Sequence, residues 1–372
     1  MLDYRKSAKA ASSPAMTNAL SLQTYRLLGR SGLRVSPLAL GGMTFGTEWG
    51  WGSDADETRR IFDTYVDRGG NFIDTANFYT NGTSERLVGE FARNKRDRLV
   101  LATKYTLTMH PGDPNSGGNH RKSMVRSVEA SLERLKTDYI DLLYIHAWDG
   151  TTPAEEVLRA MDDLIRAGKV LYAGISDTPA WQVARMQTMA DLRGWSPFVA
   201  LQIQYSLAER TVERELTPMA KEMGLGVVPF FALASGVLTG KYTKADLEHG
   251  GGTSGASGTR KNVAAANGVL TARNLEIAEV VKSVALEMGK TPAQVALAWT
   301  LLNPAVTAPI LGARTLKQLE DNLGALDVPW TDAARARLDA VSAIELGFPH
   351  EFLASPMTRE VIFGGLRVAT RS

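Results

Sequence analysis

Short apolar runs alternate along this chain with longer segments in which apolar residues recur at a helical period. The runs are nearly continuous in apolar residues, which is typical of parallel strands that are buried on both faces. They span residues 37–41, 71–74, 99–104, 140–146, 170–176, 199–204, 226–231 and 306–312. The helical segments span residues 56–68, 84–93, 121–135, 153–167, 179–193, 212–223, 272–288 and 315–323. This repetition of strand and helix predicts an α/β domain folded as a closed (β/α)8 TIM barrel.

A doubly wound sheet is the alternative arrangement of such elements, and a GxGxxG turn after the first strand normally marks it. The turn here is Gly41-Gly42-Met43-Thr44-Phe45-Gly46, which does not fit that pattern. Gly289-Lys290-Thr291 resembles the end of a phosphate-binding loop, but Val284 stands where the first glycine of that loop belongs. Both motifs therefore fail, and the barrel is favoured.

Several segments fall outside the repeat. Residues 25–35 predict an N-terminal β-hairpin that closes the bottom of the barrel, and residues 331–342 predict an additional C-terminal helix followed by an irregular tail. The insertion 241–270 contains a glycine-serine tract at 250–258, which predicts a flexible segment. Residues 1–23 are rich in Ala and Ser and lack the apolar segment of a signal peptide. We expect them to be a disordered tail, and 24–372 to form a single barrel domain.

Composition narrows the function classes. The chain of 372 residues has no cysteine, which excludes disulfides, thiolate metal sites and a cysteine nucleophile. Its 42 basic and 40 acidic residues leave a net charge of only +2, with no basic stripe, so we expect neither nucleic-acid nor membrane binding. No apolar run approaches the roughly 20 residues that a membrane span needs. We expect a cytoplasmic protein.

Candidate catalytic residues stand where the predicted strands end, which is where the active sites of such barrels lie. The second strand ends in Asp74, with Tyr79 in the following loop, while the third ends in Lys104 and the fourth in His146. Adjacent strands are about 4.8 Å apart, so these side chains can converge.

Each of the four residues also has a plain structural interpretation. Asp74 could bond backbone in a turn, Tyr79 could be a half-buried loop aromatic, Lys104 could extend to solvent, and His146 could cap its strand. If all four plain interpretations were correct, these residue types would have come together at one end of the barrel by coincidence. The joint pattern favours an active site.

The chain resembles the aldo-keto reductases over almost its whole length from about residue 25. The resemblance rests on motifs in the order of the strands: Leu40–Gly46 (LGGMTFG), Asn71–Ala76 (NFIDTA) with Tyr79, Ala102–Lys104 (ATK), His146, Gly174–Ser176 (GIS), Gln202–Ser206 (QIQYS), Gly236–Tyr242 (GVLTGKY), Gly312–Thr315 (GART) and Gln318–Asn322 (QLEDN). Within the family the chain is similar to the branch of potassium-channel β-subunits and long bacterial members. The resemblance implies NADPH-dependent reduction of aldehydes or ketones to alcohols.

Physical chemistry gives each member of the tetrad a role in that reaction. Tyrosine has a pKa of about 10, and a neighbouring ammonium lowers the pKa of a phenol, so we expect Lys104 to make Tyr79 a better general acid. Asp74 pairs with Lys104 and keeps it charged. His146 donates to the carbonyl oxygen and orients it towards Tyr79.

The resemblance also implies which residues bind NADPH. Ser176, Asp177 and Gln202 would hold the nicotinamide carboxamide, although Ser176-Asp177 could simply be a helix-capping turn. Phe230 would stack on the nicotinamide ring, or else be a core aromatic. The remaining members of the predicted cofactor set are Gly42, Met43, Thr44, Asp74, Leu233, Gly236, Lys241, Gly312, Arg314, Gln318, Asp321 and Asn322.

Arg314 would contact the 2′-phosphate, since a guanidinium matches phosphate geometry, and this favours NADPH over NADH; a surface arginine is the alternative. Gln318 and Asn322 lie one helical turn apart and could both reach the adenine. One departure concerns Phe231, which replaces a serine that normally touches the cofactor phosphates. We expect either a weaker affinity for the cofactor or a shift of those contacts to Leu233, Gly236 and Lys241.

The substrate side is predicted from aromatic residues in rim loops. Trp49, Trp51 and Trp148 would wall an apolar pocket together with Tyr79 and His146. The insertion 241–270 could fold as a lid over the cofactor or remain a surface loop. His110 and His120 are too few for a metal site, so no metal is expected.

Two other function classes compete with a reductase. One is a cofactor-binding regulatory or redox-sensing module of the channel β-subunit kind, but those proteins tend to carry Asn where this chain has His146. The other is a lyase that uses Lys104 as a Schiff-base amine, but a neighbouring Asp74 would keep that amine protonated. The sequence leaves the oligomeric state and the individual carbonyl substrate open.

Overall fold

Eight parallel strands form one sheet in the computed structural model, which describes residues 20–248, 260–366 and 368. In chain order they are β3 (Ala39–Gly41), β4 (Phe72–Asp74), β5 (Val100–Tyr105), β6 (Ile140–Ile145), β7 (Val170–Ser176), β8 (Phe198–Gln204), β9 (Gly226–Phe230) and β10 (Ile310–Gly312). Each strand pairs with its sequence neighbour, and β10 pairs with β3. Val227 in β9 also bonds Ala305 and Thr307, at 3.0 and 2.8 Å, which closes the sheet. The predicted barrel is confirmed.

The strands are buried on both faces, which explains their near-continuous apolar sequences. One core cluster fills the barrel interior with residues such as Phe72, Ala102, Leu142 and Val228. A larger cluster lies between the strands and the surrounding helices. Most strand residues are buried on either face, apart from Leu171 in β7 and Gly312 in β10, so the apolar and polar positions do not alternate.

Helices surround the barrel, and most begin and end within two residues of the predicted bounds. They are α1 (Ala55–Asp67), α2 (Thr83–Ala92), α3 (Arg121–Leu135), α4 (Ala154–Arg166), α5 (Ala180–Arg193), α6 (Leu216–Glu222), α7 (Lys244–Glu248), α8 (Arg260–Ala266), α9 (Ala272–Glu287), α10 (Pro292–Thr300), α11 (Leu316–Leu323), α12 (Asp332–Val341), α13 (His350–Ala354) and α14 (Pro356–Phe363). The α6 helix is shorter than predicted, because residues 211–213 form a separate 3-10 turn.

Three helical regions were not predicted from the sequence: α7 and α8 in the insertion 241–270, α10, and the segment after α12. The α10 helix begins at a capping box, in which the Thr291 side chain accepts from the Gln294 amide while the Gln294 side chain accepts from the Thr291 amide. At the C terminus the additional helix is confirmed as α12, but the expectation of an irregular tail after it is wrong. That segment forms the short helices α13 and α14.

The N-terminal hairpin lies at the bottom of the barrel, as predicted. Its strands β1 (Arg26–Leu27) and β2 (Arg34–Val35) pair antiparallel, and the Arg30 amide donates to the Gly224 carbonyl at 2.8 Å. The folded domain starts slightly before the predicted boundary, since Leu22 is only 4% exposed within the core. Residues 1–19 and the tract at 250–258, which were predicted to be disordered and flexible, lie outside the described residues.

Within the described part of the chain, no helix combines the length and the apolar character that crossing a bilayer demands.

Gly29 at the hairpin turn should tolerate no side chain. Its φ is +56°, and a Cβ there would lie 2.2 Å from the Val199 carbonyl oxygen. We therefore expect Gly29→Ala to lower the free energy of unfolding by roughly 1–3 kcal/mol, as measured by urea denaturation. The matched control is Gly32→Ala in the same turn, where a Cβ would meet nothing within 4 Å. Equal midpoints for the two variants would contradict this account of the turn.

Candidate active site

A cavity of about 550 Å3 opens at the C-terminal ends of the strands. Asp74, Tyr79 and His146 line it, and Lys104 lies behind Asp74 with no exposed surface. The structure thus brings the four predicted catalytic residues together. Because β4 pairs with β5 in the register Asp74 to Ala102, the Lys104 side chain stands beside the end of β4.

The Lys104 ammonium is held by two acceptors. Its Nζ donates to Asp74 Oδ1 at 2.6 Å and to the Thr75 carbonyl at 2.7 Å. It also lies 4.8 Å from the centre of the Tyr79 ring, where its positive charge favours the phenolate form. Two of the three ammonium protons are thus used in bonds to the β4 end and the residue after it, which positions the charge beside Tyr79.

Burial outweighs the ammonium in setting the acidity of Tyr79. The pKa of the Tyr79 phenol is raised above its ordinary value, because desolvation raises it more than the Lys104 charge lowers it. The effect of Lys104 has the expected direction, but it does not bring the pKa of Tyr79 below its ordinary value. The pKa of Lys104 is also raised: desolvation would lower it, but Asp74 and Tyr79 together favour the charged form. The site holds a neutral phenol next to an ammonium.

His146 faces the same phenol from β6. Its ring lies 5.8 Å from that of Tyr79 in an edge-to-face arrangement, and its Nδ1 has no hydrogen-bond partner among the described residues. Burial, and then the Lys104 charge, lower the pKa of His146 to about 3. The imidazole is neutral at ordinary pH, so it can donate one hydrogen bond into the cavity.

Gln202 supports the tetrad from β8. Its Nε2 donates to Asp74 Oδ2 at 2.8 Å, so both carboxylate oxygens of Asp74 are occupied. Beneath this contact lies the fully buried Tyr144, whose pKa is raised by burial and by the Asp74 charge. Sequence reasoning assigned Gln202 only to the cofactor. Its contact with Asp74 depends on side-chain direction across the barrel.

A tight turn places Tyr79 at the cavity. Thr80 and Asn81 adopt left-handed backbone conformations with φ of 46° and 54°. The Thr80 hydroxyl donates to the Phe45 carbonyl at 2.6 Å and accepts from the Ser84 amide at 3.1 Å, which holds the turn against two neighbouring segments. Such backbone strain persists only where surrounding contacts determine it.

Most residues predicted to bind the cofactor line this one cavity. They are Met43, Thr44, Asp74, Ser176, Asp177, Gln202, Phe230, Leu233, Gly236, Lys241, Gly312, Arg314, Gln318, Asp321 and Asn322. Gly42 does not line it; its amide donates to the Asp74 carbonyl at 2.7 Å, and an added Cβ would lie 2.7 Å from the Ser84 hydroxyl. Gly42 therefore serves close backbone packing.

The far end of the cavity has the chemistry that a dinucleotide phosphate requires. Arg314 and Lys241 line it, and α11 begins there after its N-cap Thr315. The two cations favour phosphate groups, whereas the first amides of α11 already donate to Glu57 and Thr315. Gly312 leaves open space on the wall, since a Cβ there would meet nothing within 4 Å. The lining residues fit an extended nucleotide cofactor.

The segment after β9 is unusually strained. Phe231, Ala234 and Ser235 have φ values of 53°, 47° and 54°. The Phe231 ring packs edge-to-face on Phe230 at 5.2 Å, and both rings line the cavity. Phe231 therefore forms part of the apolar wall of the cavity. The sequence had predicted only that Phe231 would not bind phosphate as a serine at this position would.

Asp177 gives the cavity a second carboxylate. Its backbone is left-handed, with φ of 39°, and its carbonyl accepts from the Trp148 amide at 3.3 Å. Burial raises the pKa of Asp177 to about 6, against the lowering effect of Lys104.

The cavity wall beside Tyr79 is aromatic. Trp49 lies 5.6 Å from both Trp51 and Phe78, and 6.3 Å from Tyr79, measured between ring centres. Trp51 lines the cavity as predicted, whereas Trp148 packs against the core and is not part of the lining.

Several residues of the cavity wall were not predicted. They are Gly41, Phe78, Leu107, Phe231, Ala232, Ser235, Thr239, Ala293, Leu297, Ile310 and Leu311. Ala293 and Leu297 were missed together with α10, although the Thr291-Pro292 start and Gln294 form a recognisable capping signal. Phe78 stands directly before Tyr79, and nothing in its spacing marks it.

Comparison with known proteins identifies one family and several similar enzymes. The model of the aldo/keto reductase family matches residues 37–343. The chain is 37% identical to the norsolorinic acid reductase of Aspergillus flavus over 346 residues, covering 90% of this chain and 85% of the relative. It is 38% identical to an aryl-alcohol dehydrogenase of Pestalotiopsis microspora, over 93% and 87%. It is 35% identical to the aryl-alcohol dehydrogenase [NADP(+)] of Phanerodontia chrysosporium, over 86% of each.

These three relatives are named as a reductase and two dehydrogenases. These relatives do not support the finer resemblance to channel β-subunits and long bacterial members, which stays a prediction.

The geometry predicts that His146 does not titrate in the neutral range. Because its pKa is lowered to about 3, its ring signals should stay constant between about pH 5 and 8, where an ordinary histidine gains or loses a proton. Two-dimensional NMR of the histidine rings measures this, and the spectrum of His146→Asn identifies the signal. The control is the urea-unfolded chain, in which the same ring should titrate near 6.5. A midpoint near 6.5 in the folded protein would contradict the burial of this ring.

Proposed function

The chain belongs to the aldo/keto reductase family, and from its site we propose that it reduces aldehydes or ketones to alcohols with NADPH. One observation carries the proposal. The buried Lys104 ammonium lies 4.8 Å from the centre of the Tyr79 ring, and Tyr79 and His146 share one cavity wall. This arrangement offers a proton and a hydrogen-bond donor to one small region of the cavity.

The residues of the chain supply the acid half of the reaction. A bound nicotinamide cofactor would supply the hydride. Neutral His146 donates to the substrate carbonyl oxygen and directs it towards Tyr79. As negative charge develops on that oxygen, Tyr79 transfers its phenolic proton, and Lys104 stabilises the phenolate that remains. Asp74 keeps Lys104 charged throughout.

The raised pKa of Tyr79 suits this direction of proton transfer. A buried phenol above its ordinary pKa remains protonated at neutral pH, so the acid is present before substrate binds. An alkoxide is far more basic than a phenolate, so the proton still moves readily. In the reverse direction the ammonium favours the phenolate, which accepts the alcohol proton.

The cofactor proposed is NADPH rather than NADH. Arg314 lines the cavity just before α11, where a guanidinium can pair with an additional phosphate. A relative from Phanerodontia chrysosporium carries NADP(+) in its name. Ser176, Asp177 and Gln202 line the wall nearest Asp74, and we assign them to the nicotinamide carboxamide.

Planar aromatic carbonyl compounds are the substrate class that the wall favours. Trp49, Trp51 and Phe78 present ring faces and edges next to Tyr79, and stacked or edge-to-face contacts with a flat ring stabilise it there. Two of the relatives are named aryl-alcohol dehydrogenases.

Tyr79→Phe should abolish most turnover without weakening cofactor binding. Removing the hydroxyl removes the acid but keeps the ring, so kcat should fall by about 10²–10⁴-fold. Oxidation of NADPH with benzaldehyde and with aryl ketones, followed at 340 nm, measures it, and protein fluorescence gives the NADPH Kd as the folding control. Near-wild-type turnover would overturn the role of Tyr79. Tight NADPH binding by the wild-type chain with no turnover on any carbonyl would favour a binding module.

Arg314→Ala should weaken NADPH binding selectively. Loss of a charge-assisted phosphate contact is worth about 1.5–3 kcal/mol, so the Kd for NADPH should rise by about 10–100-fold while that for NADH changes little. Fluorescence titration with both cofactors measures this. Lys317→Ala is the matched control, because Lys317 is an exposed cation of α11 that does not line the cavity. An equal loss for NADH, or none for NADPH, would remove the basis for the cofactor preference.

A further inference from the structure

The C-terminal arm, residues 348–366, exposes an unusual number of apolar side chains. Those more than half exposed are Phe348, Phe352, Leu353, Met357, Val361, Ile362 and Leu366, and Phe348 reaches 85%. Taking roughly 150–250 Å2 for a whole large side chain, the arm exposes on the order of 800 Å2 of apolar surface. The largest apolar patch on a typical monomer is about 300–600 Å2. The arm exceeds what a lone chain normally shows to water.

The arm is attached to its own barrel by polar contacts rather than by packing. No residue of α13 is buried, and Thr358 is the only buried residue of α14. His350 pairs with Glu215 at 3.1 Å, and just before the arm Arg214 donates to the Glu345 carbonyl at 2.7 Å. Helices of 5 and 8 residues are not stable by themselves and depend on burying an apolar face. The arm therefore needs a surface that its own barrel does not provide.

A second apolar surface lies on the outer face of α5. Trp181, Ala184, Thr188 and Leu192 follow one another at helical spacing and line a shallow groove with Met189. Trp181 is 65% exposed and Leu192 is 82% exposed, whereas the opposite face of α5 is buried in the core. This outer stripe of α5 is not needed to hold the helix on the barrel.

The two surfaces match in shape and charge. The stripe has small side chains in the middle and large ones at each end, which forms a groove for the ridge that Met357 and Val361 make one turn apart on α14. Arg185 and Arg193 line the groove, with Glu155 3.7 Å from Arg185, so the groove keeps an excess of positive charge. On the arm Glu351 and Glu360 are exposed with Arg359, which leaves an excess of negative charge. A stable interface takes about 800 Å2 from each partner, which is the area that the arm exposes.

We propose that the chain self-associates, with the C-terminal arm of one copy docked on the outer stripe of α5 in a second copy. The contact joins two different surfaces, so every copy offers one arm and accepts another. Such a contact generates a closed ring or a chain of subunits. The inference does not depend on the catalytic proposal, because neither surface lines the cavity.

The oligomeric state of the full chain tests the proposal. Multi-angle light scattering at tens of micromolar protein should give a mass above that of the monomer. Val361→Asp and Trp181→Asp should each reduce it to the monomer mass, since both place a charge in the contact. Leu286→Asp is the matched control, because Leu286 is 83% exposed on α9, outside both surfaces. Met357→Asp and Leu192→Asp replace either variant that fails a circular-dichroism check of folding.

A mixture of Trp181→Asp and Val361→Asp distinguishes docking of the arm on the stripe from other modes of association. Trp181→Asp keeps an intact arm and Val361→Asp keeps an intact stripe, so an equimolar mixture should regain a dimer. A mixture that stays monomeric would overturn the docking of arm on stripe. A monomeric wild-type chain would overturn self-association, and loss of association in Val361→Asp but not in Trp181→Asp would show that arms pair with each other instead.

Discussion

A single buried ammonium determines how the open end of this barrel is built. Lys104 has no exposed surface, and an isolated charge in such a place would cost so much that the amine would lose its proton. Asp74, itself 2% exposed, compensates by direct pairing. Asp74 in turn needs the Gln202 amide for its second oxygen. Lys104 belongs to β5, Asp74 to β4 and Gln202 to β8, so these contacts connect strands on different sides of the barrel.

Burial shifts the pKa values of the two aromatic neighbours of this ion pair in opposite directions, and in each case it favours the neutral form. Desolvation raises the pKa of the Tyr79 phenol and lowers that of the His146 imidazole, so both groups are neutral where Lys104 is charged. Burial also raises the pKa of the Asp177 carboxyl group, which lines the same cavity, to about 6. One ammonium facing neutral donors is the arrangement that a developing oxyanion requires.

The sequence predicted the frame of the site because strand ends follow from local pattern. Asp74, Lys104 and His146 each end an apolar run, and parallel pairing brings such ends to one rim. The missed helix α10 has a physical explanation. Nearly all of its residues from Ala293 to Thr300 are buried, so no polar face gives it a helical period.

Properties that depend on three-dimensional balance could not be predicted. The sign of the shift for Tyr79 depends on how far desolvation exceeds the attraction of Lys104, and a sequence contains no measure of either. Trp148 was assigned to the pocket from its loop position, but the direction of a loop side chain is set by packing, and it lies against the core. The Gln202 contact with Asp74 likewise spans the barrel between residues 128 positions apart.

The two ends of the cavity share one support, so they are not independent. The segment between β3 and α1, which carries Trp49 and Trp51, is closed by backbone bonds between Thr44, Gly46 and Ser53. The Thr44 and Ser53 hydroxyls each donate at 2.8 Å, to the Ala313 and Arg314 carbonyls. One loop therefore carries the aromatic wall and also bonds the backbone of Ala313 and Arg314. The aromatic wall and the backbone of Arg314 are positioned by the same segment of the chain.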